Sequence, residues 1–318
     1  MAIIVMRLPA GASIPLILPI GTCPGPVRGE HTELYAKQVS GVTIVCMTVI
    51  YEKQGAVATL RLNRPEKLNA VNGEMLEAIC AALETAENDD DVRVLILSGE
   101  GRAFSAGFDL DMGSPQKGES DETFMRRELR NIFDAIMRFW DFPKPVIAAV
   151  HGYCLGSSME IAAVCDITIA SDSCRFGAPE VRFGSGMVCL ILPWIVGQKN
   201  AREMLLVGSD RIDAARAESM GLVNKVVPAE EVLNSAKAMA DEIALNDPLA
   251  VRLTKKAINM SAEIAGIRKA LENALEIDMQ IETTETPESR EFNRILGEEG
   301  PKAALRWRAA QLPQGDNL

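Results

Sequence analysis

Apolar and polar positions along the chain change period several times, and each change marks an element. Thr48–Glu52 and Val57–Asn63 are rich in β-branched and aromatic residues. A Gln54-Gly55 turn between them predicts a hairpin. Met75, Ile79, Leu83 and Ala86 then fall at helical spacing, which predicts an amphipathic helix over Gly73–Glu87, ended by Asn88-Asp89-Asp90-Asp91. Val92–Leu97 is a nearly continuous apolar run, as in a strand buried on both faces. Thr123–Phe139 reads as a helix, Pro145–Val150 as an apolar strand, Ser157–Val164 as a helix and Ile167–Ala170 as a strand. This alternation predicts an α/β architecture with crossover connections. From about Pro228 the β signal vanishes, and Glu230–Leu245, Pro248–Ser261, Ile267–Thr284 and Pro287–Leu296 all read as helices.

The first 46 residues follow a different pattern. They hold five of the 16 prolines, and three basic residues stand against only Glu30 and Glu33. Pro9, Gly11, Pro15 and Pro19 interrupt the apolar stretch Leu8–Ile20 and make it a poor helix. A secretory signal is the alternative for that stretch, but its basic n-region is thin and no clean cleavage site follows. Residues 1–46 are therefore expected to be a poorly ordered extension, or to arise from a start assigned upstream of Met47. No apolar run reaches the ~18 residues of a membrane-spanning helix, so no membrane partner is expected.

Composition narrows the chemistry. The chain of 318 residues carries 33 basic and 44 acidic residues, a net charge of −11. That argues against a general nucleic-acid surface, which needs cations for phosphates. The seven cysteines are odd in number and form no CxxC pair, so free thiols in a reducing, cytoplasmic setting are expected rather than disulfides or a structural zinc. His31 and His151 are the only histidines, which leaves little room for a metal site or His-based catalysis. There is no GxxxxGK[ST], no GxGxxG after a strand and no repeat.

Three segments carry candidate chemistry. Ala103-Phe104-Ser105-Ala106-Gly107-Phe108-Asp109-Leu110 follows a buried strand, and its small residues permit close backbone approach. It reads either as a tight strand-to-helix turn or as a binding loop. Ser105 resembles a nucleophile elbow, but Ala103 stands where GxSxG needs glycine. His151-Gly152-Tyr153-Cys154-Leu155-Gly156-Ser157-Ser158-Met159-Glu160 also follows an apolar strand and opens a helix, whose free N–H groups favour negative charge. Two such loops, each aiming one N–H at a carbonyl oxygen, would form an oxyanion hole. Taken alone, Glu160 is a first-turn dipole or capping partner. Glu180, in Phe176-Gly177-Ala178-Pro179-Glu180, taken alone is a solvated loop carboxylate. Converging on one apolar pocket, the two could split their pKa values into an acid and a base.

With these residues in view, the chain resembles the crotonase superfamily, the enoyl-CoA hydratase/isomerase family. The resemblance runs in order through Leu62-Asn63-Arg64-Pro65 with Leu68-Asn69-Ala70, Ala103 to Leu110, Lys144 to Gly152, Cys165-Asp166, Phe176 to Glu180, Gly208, Ala214 to Ala217 and Gly221-Leu222-Val223-Asn224, over about residues 48–310. It implies a crotonase-like α/β spiral of repeated ββα units over residues 47–245, and a helical C-terminal trimerisation section over 246–318. It also implies a homotrimer or dimer of trimers, and an acyl-CoA thioester substrate. The oxyanion-hole N–H groups carry over to Phe108 and Ser157, and the catalytic glutamates to Glu160 and Glu180. The CoA-binding positions carry over to Arg64, Lys67, Leu68, Ala70, Ala106, Asp109 and Leu110, with Arg102 a further basic candidate. No metal and no separate cofactor are implied, because coenzyme A belongs to the substrate.

Two departures stand out. Family members usually carry glycine where Ser157 and Ser158 stand, so a hydroxyl is expected to narrow the pocket or reach the substrate. Gly184-Ser185-Gly186-Met187-Val188-Cys189 replaces a proline- and glycine-rich segment typical of hydratases. Leu190-Ile191-Leu192-Pro193-Trp194-Ile195 after it reads as core packing, an acyl pocket or a trimer contact. The expected reaction is reversible syn hydration of a 2-trans-enoyl-CoA to a 3-hydroxyacyl-CoA. An enoyl-CoA isomerase, an acyl-CoA hydrolase or a C–C lyase on the same fold is the alternative, and a non-enzymatic scaffold a further one.

Overall fold

In a computed structural model of the chain, the described residues are 47–110, 113 and 115–311, together with the backbone of short strands at Ala2–Arg7, Ser13–Leu18 and Thr43–Val45. The extension expected over 1–46 and the chain end at 312–318 otherwise lie outside these residues.

The hairpin forms as the pattern predicts. β1 (Val49–Gln54) pairs antiparallel with β2 (Val57–Leu62). Its turn is Gly55-Ala56, one residue later than expected, with Gly55 at φ +60°. α1 (Gly73–Asn88) is capped by the Asn72 side chain, which accepts from the Met75 N–H, and it buries Met75, Ile79, Leu83 and Ala86. β3 (Val94–Gly99) starts two residues later than the apolar run, because the Val92 N–H closes the turn out of α1 on the Asp89 carbonyl. α2 (Asp121–Asp141), β4 (Val146–Val150), β5 (Tyr153–Leu155), α3 (Ser157–Val164), β6 (Ile167–Ser171) and β7 (Arg175–Gly177) follow. β2, β3, β4, β6 and a later strand, Lys225–Val227, pair in parallel within a seven-stranded sheet that ends on β1 and Thr43–Val45.

The alternation of side chains explains the continuous apolar runs. Leu95, Leu97, Ala148 and Val150 join the large core under α1 and α2, whereas Val94, Ile96, Ile147 and Ala149 pack against Val232, Ala236 and Ala240 of the helix Val232–Leu245. Both sheet faces are covered, so neither face selects polar residues. A second sheet, with β7 between β5 and the short strand Ile212–Asp213, is extended by isolated parallel bridges at Ser105–Cys154 and Val71–Phe108.

The helical section contains Pro248–Ile264, Ile267–Glu282 and Pro287–Glu299, close to the expected bounds. A last helix, Pro301–Ala310, lies beyond those the pattern predicts and buries only Ala304. Ile267–Glu282 inserts Leu271, Leu275 and Met279 into the main core. Phe292 stacks on Phe183 with ring centroids 5.0 Å apart. Cys154, Cys165, Cys174 and Cys189 are buried free thiols. Among the described residues no helix is long and apolar enough to cross a membrane.

Candidate active site

The loop after β3 is built around Asn69, a fully buried residue in the left-handed region (φ +54°). Its carboxamide oxygen accepts from the Arg64 N–H at 2.8 Å, and its NH2 donates to the carbonyls of Glu100 and Ala103, each at 2.8 Å. The Ser105 hydroxyl donates to the Asn69 carbonyl at 2.8 Å and accepts from the Gly107 N–H at 3.2 Å. His151 instead bonds the Gly101 carbonyl. Ser105 is thus a loop-stitching residue, and no Ser/His/Asp unit forms. Nor is the segment a strand-to-helix turn, because α2 starts only at Asp121. The segment runs beside residues 68–71: the Ala106 N–H donates to the Leu68 carbonyl, the Val71 N–H to Gly107, and the Asp109 N–H to Val71. This ladder uses the residues on either side of Phe108, so the Phe108 N–H faces away from it.

The second loop contains a strand that the sequence did not show, since β5 intervenes before α3. Gly156, at φ +57°, donates its N–H to the Gly177 carbonyl and starts α3. Ser157 is then the first helical residue, whose N–H has no partner inside the helix. The Ser158 hydroxyl is buried between the Leu155 carbonyl at 2.7 Å and the Ser105 carbonyl at 3.0 Å. Rather than reaching a substrate, as expected, it joins the two loops. The Ser157 hydroxyl makes no hydrogen bond among the described residues.

Glu160 is 0% exposed, on a helix buried along its whole length. It does not cap its own helix. The Cys189 N–H donates to its two carboxylate oxygens at 3.0 and 3.2 Å, and the neighbouring Leu190 N–H adds a weaker pull toward the charged form. Leu190 lies at φ +39°, unusual for a β-carbon-bearing residue, directly after the Cys189 N–H that meets the carboxylate. Burial pushes the Glu160 carboxyl well above the usual range, the Glu180 and Asp278 charges push it further, and the two N–H groups oppose them.

Glu180 opens a 3-10 turn, Glu180–Phe183, instead of sitting in a solvated loop. Its Oε2 is buried without a partner. Its Oε1 rests against Gly156, where a Cβ would lie 1.9 Å away. Burial, and then the charges of Asp278 and Glu282, push its pKa up to about 8, against its own N–H. The pair therefore lies beside the start of α3, with both members raised and with different backbone donors.

The expected CoA-binding residues divide in two. Leu68, Ala70, Ala106 and Asp109 meet along the 68–71 ladder, and Arg64 ties them by bonding the Ala70 carbonyl and Asp109 Oδ2, the latter at 3.0 Å. Lys67, Arg102 and Leu110 are exposed. The segment 184–189 folds over the acids: the Ser185 hydroxyl and Gly186 N–H bond Glu282, and Met187, Val188 and Cys189 are buried. Ile191 and Leu192 are core residues, while Trp194 is 40% exposed. Asp278 and Glu282, which sequence reasoning missed, had one visible signal. Asp278 lies three and seven residues after Leu275 and Leu271, on the apolar phase of its helix. Among the described residues no group of three metal-ligating side chains is arranged to hold an ion.

Comparisons with known proteins agree with this arrangement. A family model described as enoyl-CoA hydratase/isomerase matches residues 52–303. The short-chain-enoyl-CoA hydratase of Clostridium acetobutylicum is 39% identical over 66% of this chain and 80% of its own. The 2,3-dehydroadipyl-CoA hydratase of Escherichia coli is 36% identical over 68% of this chain and 84% of its own. A crystal structure of an enoyl-CoA hydratase/isomerase from Xanthobacter autotrophicus superposes with a TM-score of 0.80 at 44% identity, over 84% of this chain and 98% of that one.

Proposed function

The chain belongs to the enoyl-CoA hydratase/isomerase family, and from that premise we propose that Glu160 and Glu180 catalyse reversible hydration of a 2-trans-enoyl-CoA to a 3-hydroxyacyl-CoA. The carrying observation is the pair itself: beside two backbone loops, a fully buried Glu160 carboxyl held by the Cys189 N–H and a Glu180 carboxyl with one buried, orphaned oxygen.

The Phe108 and Ser157 N–H groups hold the thioester carbonyl oxygen. Polarising that carbonyl makes the β-carbon electrophilic and stabilises the enolate-like charge that builds on oxygen. Glu160 must be ionised to act, and the Cys189 N–H supports that form against the burial that raises its pKa; in this form it takes a proton from the attacking water. Glu180, protonated near neutrality, gives its proton to the α-carbon. The reverse reaction exchanges these roles. Coenzyme A enters as part of the substrate; we propose that the exposed Lys67 and Arg102 meet its anionic groups and that it lies along the ladder tied by the Arg64–Asp109 pair. Leu253, Ile258, Ile264 and Ile277 are exposed on the helical section, and we propose that they are covered in a homotrimer or a dimer of trimers.

The test is incubation with crotonyl-CoA and with longer and aromatic enoyl-CoAs. Loss of enoyl absorbance without release of CoA thiol supports hydration. Thiol release points to a hydrolase, double-bond migration dependent on Glu180 alone points to an isomerase, and no turnover of any member removes the hydration reading.

A further inference from the structure

The two glutamates are not alone. Asp278 and Glu282, four residues apart on the helix Ile267–Glu282, pack on the Ser185–Gly186 part of the segment whose Cys189 N–H bonds Glu160. Asp278 is 2% exposed, and both of its oxygens are buried without a hydrogen-bond partner. It is packed so closely on the segment over the site that a Cβ on Gly186 would lie 2.0 Å from Oδ1. Glu282 accepts from the Ser185 hydroxyl and from the Gly186 N–H. Asp278 acts electrostatically on both Glu160 and Glu180, and Glu282 acts on Glu180 and Asp278.

The groups facing this cluster offer it little positive charge. From α3 comes Glu160, from the 3-10 turn Glu180, and from the overlying segment the Ser185 hydroxyl, two N–H groups and the buried Cys189 thiol. Among the described residues no lysine or arginine bonds any of the four carboxyls. Arg268, whose charge reaches Cys189, is paired with Asp141 and Glu263. Four carboxylates without a counter-ion, Glu160 and Asp278 fully buried and Glu180 and Glu282 half-buried, repel one another and lose hydration, so the cluster is stabilised when it holds protons. A protonated carboxyl supplies the donor that an orphaned neighbouring oxygen lacks.

We infer that Asp278 is a positioning residue of the active site, which shares protons with Glu180 and Glu160 and thereby keeps Glu180 loaded as the proton donor. The inference rests on the hydration reading for its catalytic consequence, but the shared protons exist without substrate. Burial, and then Glu282, push the Asp278 pKa up to about 7, and burial raises Glu282 as well.

Two measurements on the full chain test it. Infrared titration of the carboxylic-acid C=O stretch, without substrate, should show protonated carboxyl groups persisting above about pH 6, where ordinary carboxyls are ionised. Asp278→Asn should remove part of that signal and lower the midpoint of the rest, and Glu282→Gln should lower it too. In hydration assays, Asp278→Asn should move the alkaline limb of the kcat profile to lower pH by about one unit, because one neighbouring negative charge is gone. A purely structural role would lower kcat at every pH and leave the limb in place, which overturns the inference. So does a wild-type spectrum with no protonated carboxyl above about pH 6, with or without hydratase activity. Persisting protonated carboxyls in a protein that hydrates no enoyl-CoA would instead remove the reaction and keep the proton sharing.

Discussion

The Cys189 N–H donates to both carboxylate oxygens of Glu160, at 3.0 and 3.2 Å. The segment that departs most from the hydratase pattern in sequence therefore supplies the contact that orients one of the two acids. Glu160→Gln keeps an acceptor oxygen for Cys189, so the fold should persist. The amide cannot take a proton from water, and kcat for hydration should fall by about 10²–10⁴-fold with KM little changed. Steady-state kinetics with crotonyl-CoA checks this, and full activity would remove Glu160 from the mechanism.

Gly156 holds Glu180 in place by having no side chain. In Gly156→Ala the new methyl would meet Glu180 Oε1 at 1.9 Å, and the residue would keep a left-handed φ of +57°. The backbone strain costs about 1–3 kcal/mol. The displaced carboxyl should lower kcat about 100-fold. Thermal denaturation should still show a cooperative transition at a lower Tm. An active variant of unchanged Tm would mean that this contact does not exist in solution.

Ser158 links the two backbone loops through its hydroxyl, 2.7 Å from the Leu155 carbonyl and 3.0 Å from the Ser105 carbonyl. Ser158→Ala takes the hydroxyl donor from the Leu155 carbonyl, at a cost of about 1–3 kcal/mol, while the Ser105 carbonyl keeps the Leu155 N–H at 3.2 Å. Loosened spacing between the Phe108 and Ser157 N–H groups should reduce kcat between about 10- and 100-fold. Chemical denaturation and kinetics of the same preparation separate the two effects. Unaltered stability would show that the hydroxyl does not bridge the loops.

The acid cluster makes stability depend on pH with a definite sign. In the folded chain Glu180 titrates at about 8 and Asp278 at about 7, both raised first by burial. In the unfolded chain both carboxyls ionise near pH 4. Between these values the folded state binds more protons, so stability falls as pH rises through about 5 to 8. The contribution is fully present below the unfolded values and lost above the folded ones. Tm measured across that range should decline in the wild type, and the decline should be shallower in Glu180→Gln. A slope identical in both proteins would contradict the raised Glu180 pKa.

The sequence showed the long elements and the chemistry-bearing motifs because those depend on local period and spacing. α1 announces itself through Met75, Ile79 and Leu83, and α3 keeps its expected bounds at Ser157 and Val164. The second sheet stayed hidden. Its strands run for two or three residues, and Ser105–Cys154 and Val71–Phe108 are single bridges too short to set a pattern. Glu160 and Glu180 were legible through family motifs. Their neighbours Asp278 and Glu282 come from a helix about a hundred residues away, and only the three-dimensional fold brings them together. Serine at 158 read as a pocket residue because its direction depends on the Ser105 carbonyl, a partner from another loop.

The most direct test of the account is the rate of crotonyl-CoA hydration by wild type and Glu180→Gln, with CoA-ester affinity measured in parallel. The account predicts a wild-type enzyme that consumes the enoyl absorbance without freeing thiol. It also predicts a variant that binds the ester nearly as well but turns over at least about 100-fold more slowly. A Glu180→Gln protein that hydrates crotonyl-CoA at the wild-type rate would contradict it.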